Sequence, residues 1–145
     1  MTRLPIESWL LWALLSAGFA ALTAIFAKVG IENIGSDLAT FVRTIVILLA
    51  LGLMHLVTGQ LRSPGPISGR TYLFLILSGL ATGASWLCYF RALKVGEAAR
   101  VAPIDKLSVV LVAIFGVIFL GEHLAGRHWL GIALIAAGAV LVAIR

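Results

Sequence analysis

Five apolar runs, each close to the length of a bilayer crossing, constrain this chain more than any motif in it. The first reads "SWLLWALLSAGFAALTAIFAK". Stretches of about 18 or more apolar residues read as membrane spans. The runs lie at about Ser8–Lys28, Asp37–Val57, Thr71–Phe90, Val101–Leu120 and Trp129–Ile144. Hydrocarbon offers the main chain no hydrogen-bond partner, so each run is expected to be a helix. The expected fold class is an all-α integral membrane protein, a five-transmembrane-helix bundle. The fifth run is short, about 24 Å as a helix, and is expected to stand upright or thin the bilayer. Loops of about ten residues leave no room for a soluble domain. Residues 1–145 are therefore expected to form one domain. Only 12% of residues are charged, against about 25% in soluble domains.

The net charge of +5 is no nucleic-acid signature. Lys and Arg stand singly at helix ends, with no basic run interleaved with aromatic residues. Basic loops suit a protein facing anionic lipid. A cleaved signal peptide is not expected, because the first apolar run is too long for one and follows a single Arg3. Cys88 has no intrachain partner. Met1-Thr2 is not a myristoylation start, and no prenylation motif ends the chain.

Punctuation between the runs supports five helices. Gly30 and Gly35 bracket the first loop, and Ser36-Asp37 are expected to cap the second helix. Pro64, Gly65 and Pro66 break the second loop. Gly96 is expected to end the third helix, and Pro103 to stand at or near the start of the fourth. Gly121 and Gly126 mark the last turn. Trp9, Tyr72 and Trp129 fall at helix ends on the N-terminal side, where an aromatic belt is expected. Small residues mark packing faces: Gly79 and Gly83 at GxxxG spacing, Gly131 and Gly138 a heptad apart, and Ala13, Ala17 and Ala21. Such faces let helices approach closely in lipid.

Five spans place the termini on opposite sides. The N-terminal side carries Arg3, Arg62, Arg70 and Arg127. The other side carries Lys28, Arg91, Lys94, Arg100 and Arg145. Orientation follows the Lys/Arg bias, and four against five is nearly none. Two readings stay open. One is dual insertion with an antiparallel homodimer, which reproduces the inverted symmetry of many secondary transporters. The other is a single orientation with the Arg91, Lys94 and Arg100 side cytoplasmic.

Charged residues also lie inside the runs. Arg43 is seven residues past Ser36, about 10 Å into the second helix. Asp105 and Lys106 follow Pro103. The second and fourth helices start on the same side, so all three share a half of the bilayer. Ionisable groups there pair or face a water-filled path, and an Arg43–Asp105 ion pair is expected. A structural alternative places Asp105 in the first turn of the fourth helix, favourable to its dipole, with Lys106 reaching to the interface. Trp86, Tyr89 and Phe90 are neighbours at three- and four-residue spacing near the same side. They are expected either to line a cavity beside Arg43 or to face lipid. Ser85, Ser108 and Thr40 offer hydroxyls to such a cavity. Glu122 closes the fourth helix where a carboxylate is disfavoured unless paired, with Arg127 or His123 as candidate partners.

No catalytic constellation is present: no HExxH, no CxxC, no phosphate-binding glycine loop, no Ser/His/Asp set. His123 and His128 make a poor metal pair without a third ligand. No enzymatic activity, cofactor or metal is expected.

The run "YFRALKVGEAARVAPIDKLSVVLVAIFGVIFLGEHL", followed by "GIALIAAGAVLV", resembles the EamA-type branch of the drug/metabolite transporter superfamily. Ala92-Leu93, Pro103, Leu120-Gly121-Glu122 and the glycines from Gly131 to Gly138 follow the family pattern in order. "SWLLWALLSAGFAALTAIFAKVGI" and "ATFVRTIVILL" fit it as well. The resemblance covers essentially the whole chain. It implies one half of a ten-helix inverted-repeat transporter fold, since the family usually joins two five-helix repeats of opposite orientation. It therefore implies an antiparallel homodimer or a partner half. Four-helix relatives in the superfamily carry a glutamate inside the first helix. Here Glu7 precedes the first run, so their proton-coupled export of quaternary cations is not expected.

The leading expectation is a secondary transporter or exporter of small metabolites, in a prokaryotic cell membrane. Its substrates are expected to be amino-acid-like or other small, partly apolar anionic compounds. Arg43 or Lys106 would face the substrate's anionic group, and Trp86 and Tyr89 its apolar part. A lipid-carrier flippase, an accessory half-subunit and a non-transporting scaffold are the alternatives.

Overall fold

Each apolar run becomes helix because its own main chain supplies the only hydrogen-bond partners available in hydrocarbon. The computed structural model describes residues 7–59 and 67–144. Arg3, Arg62, Arg145 and the Pro64-Gly65-Pro66 break lie outside them. Six helices follow one another: α1 (Glu7–Gly30), α2 (Ser36–Thr58), α3 (Gly69–Val95), α4 (Ala98–Asp105), α5 (Ser108–Leu120) and α6 (Gly126–Ala143). No strand occurs among the described residues. Five segments are long and apolar enough to cross a membrane, with α4 and α5 together forming the fourth, Ala98–Leu120. The all-α, five-span class read from the sequence is the observed one.

The helix ends depart from expectation in instructive ways. At α2 the N-cap is Gly35, with no side-chain cap. The Ser36 hydroxyl donates instead to Asp37 Oδ1 at 3.2 Å. α3 runs five residues past Phe90, because long basic side chains at Arg91 and Lys94 reach polar partners from inside the last turn. α6 starts at Gly126, three residues early. His128 Nδ1 accepts from the Ala125 N–H at 3.1 Å and so caps that first turn. The span is 18 residues, about 27 Å, and needs less thinning of the bilayer than expected.

The fourth span differs most. Helix begins at Ala98, not near Pro103, which lies inside α4. Pro103 has no N–H, so the Ala99 carbonyl loses its usual donor. One turn later the Lys106 N–H is shared between Ala102 O at 3.3 Å and Pro103 O at 3.1 Å, and the α-ladder gives way at Leu107. Leu107 N–H bonds Ile104 O, Val109 N–H bonds Lys106 O and Val110 N–H bonds Leu107 O, each at 3.0 Å. These are i→i+3 bonds, tighter and poorer in geometry than α-helical ones.

The chain groups into two units, Phe26–Lys94 and the rest. In the Phe26–Lys94 unit the core is small and lies where the end of α1 and the start of α2 meet the end of α3. Leu93 is 0%, Ile31 1% and Phe90 2% exposed, with Ala27, Ala39 and Thr40 also buried. Lys94 Nζ donates to the Ile31 carbonyl and to those of Glu32 at 2.9 Å and Ile34 at 3.0 Å. Lys28 Nζ answers with the Leu93 carbonyl at 2.7 Å. In the other unit α6 packs on α4 and α5. Ala113, Gly116 and Ala139 are buried there, so small side chains set the approach. Arg100 Nη2 donates to the Ala143 carbonyl at 2.6 Å, satisfying an open helix end and complementing its dipole.

Lys94→Ala removes a donor shared by three turn carbonyls. The variant is expected to lose about 1–3 kcal/mol of stability, read as the SDS-unfolding midpoint in mixed micelles, with Lys94→Arg retaining most of it. An unchanged midpoint for the alanine variant would show that water serves those carbonyls equally well.

Candidate functional site

The sequence-selected residues fall into two local groups, one in each unit. In the Phe26–Lys94 unit, α2 carries Thr40 and Arg43, and α3 carries Ser85, Trp86 and Tyr89. Helical spacing puts Trp86 and Phe90 on one face of α3. Arg43 Cζ lies 4.1 Å from the Trp86 ring centroid and 5.5 Å from that of Phe90. Both distances are within cation–π range. Phe90 is buried and forms the wall, while Arg43 and Trp86 are half-buried. The aromatic cluster thus stands beside Arg43, with the Trp86 face occupied by the guanidinium. Thr40, one turn before Arg43, is buried, and its hydroxyl donates to the Ser36 carbonyl at 2.9 Å. Thr44 repeats the motif on Thr40 O at 2.8 Å. Ser85 is exposed and Tyr89 half-buried.

In the other unit Asp105, Lys106 and Ser108 stand together at the interruption between α4 and α5. Lys106 Nζ is 3.3 Å from Asp105 Oδ2. Asp105 ends α4 rather than opening the fourth span, so it has no first-turn dipole contact. Lys106 and Ser108 are exposed and Asp105 half-exposed. The ion pairing expected between Arg43 and Asp105 concerns residues of different units; within its own, Arg43 stacks on rings and Asp105 pairs with Lys106.

Two features escaped the sequence reading. Arg91 grips Asp37 in a fork, Nε to Oδ1 at 3.1 Å and Nη2 to Oδ2 at 2.9 Å. The signal was present, since an acid opening the second helix and a base closing the third share a membrane side. The second feature is Glu122. Neither Arg127 nor His123 pairs with it, contrary to expectation. Gly121 takes the left-handed conformation, φ 68°, and turns the chain back on α5. The Glu122 N–H then donates to the Gly116 carbonyl at 3.0 Å, and its carboxylate lies over Gly116. A Cβ at Gly116 would stand 2.5 Å from Glu122 Oε2. At Gly79, Gly83, Gly131 and Gly138 an added Cβ meets no described atom within 4 Å.

The comparisons with known proteins agree with this architecture. The EamA-like transporter family matches residues 7–144. The chain belongs to that family. An "uncharacterized transporter in cobO 3′ region" from Sinorhizobium sp is 66% identical over 138 residues, covering 95% of this chain and 98% of that protein. No solved structure matches. The protein is an integral membrane protein of a transporter family.

The Leu120-Gly121-Glu122 turn carries a prediction about stability. Gly121→Ala places a Cβ at positive φ and is expected to cost about 1 kcal/mol. Gly116→Ala meets only the flexible end of Glu122 and is expected to cost less. Thermal unfolding in detergent, with the reverse ranking, would refute this account of the turn.

Proposed function

We propose that the chain is a secondary transporter of small metabolites, amino-acid-like or otherwise small, partly apolar and anionic. It works by alternating access as an antiparallel homodimer in a prokaryotic cell membrane, and it catalyses no covalent reaction. The observation that carries this reading is the match to a relative named a transporter, across 98% of that relative's own length. The five spans of this chain thus match nearly the whole length of that relative. A single five-span unit lacks the symmetry that alternating access uses. Opposed units present the same site to either side as they rock. Insertion of a second copy upside down supplies the opposed unit, and the near-even split of four cations against five permits both insertions. The half-buried, charged and aromatic Arg43 group supplies the polar recognition that a pure scaffold has no use for.

Two measurements test the reading. With Cys88 replaced by Ser, a single cysteine at either terminus should be labelled from both faces of the membrane in intact cells. Labelling of each terminus from one face only would sink the antiparallel arrangement. Purified protein in liposomes should exchange at least one preloaded amino or carboxylic acid with external label. Flux equal to that of protein-free liposomes across such a panel would sink transport itself.

A further inference from the structure

Two arginines of the Phe26–Lys94 unit, Arg91 and Arg43, stand in contrasting states. Arg91 has committed its fork to Asp37, with both carboxylate oxygens engaged. Arg43 lies over the Trp86 and Phe90 rings, with Tyr89 close enough to act on its charge electrostatically, and no carboxylate among the unit's described residues forms an ion pair with it. Stacking uses the face of a guanidinium, whereas its five N–H donors lie in the plane. The Trp86 contact at 4.1 Å engages Arg43 through a ring, which is no acceptor for in-plane N–H···O hydrogen bonds and so does not by itself consume the fork. Phe90, 2% exposed, backs the group and stops it swinging further into the unit. Ring contacts offset only part of the cost of a cation about 10 Å into a membrane helix. An oxyanion in the fork offsets the rest.

We propose that Arg43 is the receptor for the substrate's carboxylate and that Trp86 is its positioning residue, holding the fork in the orientation that a planar, two-oxygen anion requires. The proposal rests on the transporter reading for its substrate, but binding is measurable without flux. Arg91 on Asp37 shows the geometry that the fork takes when filled. A carboxylate matches it with two parallel hydrogen bonds; an ammonium in place of the guanidinium offers a point charge and no such match. Trp86 contributes no bond to the ligand. It reduces the orientations that Arg43 loses on binding, so its removal weakens affinity while leaving the maximal rate of transport largely intact.

The test is ligand binding to the full chain in lipid nanodiscs by saturation-transfer NMR, with leucine as the probe. Competitors are 4-methylvalerate, which keeps the carboxylate and lacks the amine, leucinamide, which keeps the amine and lacks the carboxylate, and an isobutyl phosphate monoester. Leucine and 4-methylvalerate should bind competitively and leucinamide should not displace them. Arg43→Lys should weaken 4-methylvalerate by about tenfold or more, as expected for loss of a two-bond, charge-assisted contact. Trp86→Leu should weaken it comparably, and Trp86→Phe, which restores a ring, should recover most of the affinity. Where flux is measurable, Trp86→Leu should raise KM far more than it lowers kcat. Absence of carboxylate binding at tens of millimolar, displacement by leucinamide, tighter binding of the phosphate, or equal affinities for the Leu and Phe variants would each overturn the assignment. Binding with these dependences but without flux would sink transport and leave the site standing. Flux that ignores Arg43 and Trp86 would do the opposite.

Discussion

A main-chain carbonyl that leaves a helix near hydrocarbon must find a donor in the protein, and this requirement organises helix ends in both units. The connection from α1 to α2 releases carbonyls at Ile31, Glu32 and Ile34, and one ammonium, Lys94, serves all three. The Leu93 carbonyl near the end of α3 is served in return by Lys28. At the end of α6, Arg100 serves Ala143. At the end of α5 no cation is used: Gly121 reverses the chain so that Glu122 N–H reaches Gly116 O. Basic residues at helix ends are usually credited to lipid headgroups and topology. Here Lys28, Lys94 and Arg100 have carbonyls as partners, and the buried core of the Phe26–Lys94 unit gathers where the partners of the two lysines meet.

This use of the cations sorts them by what they hold. Lys28, Lys94 and Arg100 grip main-chain oxygens, and Arg91 grips a carboxylate. All four are engaged by rigid elements of their own units and contribute to holding helix ends. Arg43 lies instead over the Trp86 and Phe90 rings, which do not consume its N–H donors. A cation used for architecture needs its donors filled. A cation used for recognition needs its orientation fixed and its donors open, and an aromatic face supplies both conditions together.

The spans were legible because their signal is a sum over about twenty residues, and no single side chain overturns it. Their ends were less legible, since the deciding contacts are few and distant in sequence. Ser36 and Asp37 look like a cap, but Asp37 is drawn to Arg91, 54 positions away. Arg91 and Lys94 look like loop residues, but long side chains let the helix continue beneath them. Of the site, the sequence placed Arg43 and Trp86 on a shared membrane side and left open whether the aromatic cluster lines a cavity beside Arg43 or faces lipid. What the tryptophan does there was not legible, since its ring was as compatible with lining a cavity as with holding a guanidinium. The glycine faces at Gly79, Gly83, Gly131 and Gly138 declare close approach without naming what approaches. An added Cβ at each meets no described atom within 4 Å, so the partner for those faces is not supplied within their own units.

The interruption between α4 and α5 brings irregular main chain and two charges to one point. Asp105 and Lys106 sit where the α-ladder is replaced by i→i+3 bonds over Leu107 to Val110. Irregular main chain at membrane depth is tolerated only where protein or water supplies partners. Charged side chains at that depth carry the same requirement. Placing both at one point means that one polar environment serves both, whereas separating them would require two. The adjacent Asp105 and Lys106 offset part of each other's charge at 3.3 Å, and α5 beyond them is apolar throughout, Ser108 alone excepted. The fourth span is therefore two helices of different character: a short polar-ended segment toward the side of α4, and a lipid-compatible rod beyond it. Bending between them costs least at Leu107, where the N–H bonds Ile104 O and the α-helical bond that a bend would lengthen is already replaced.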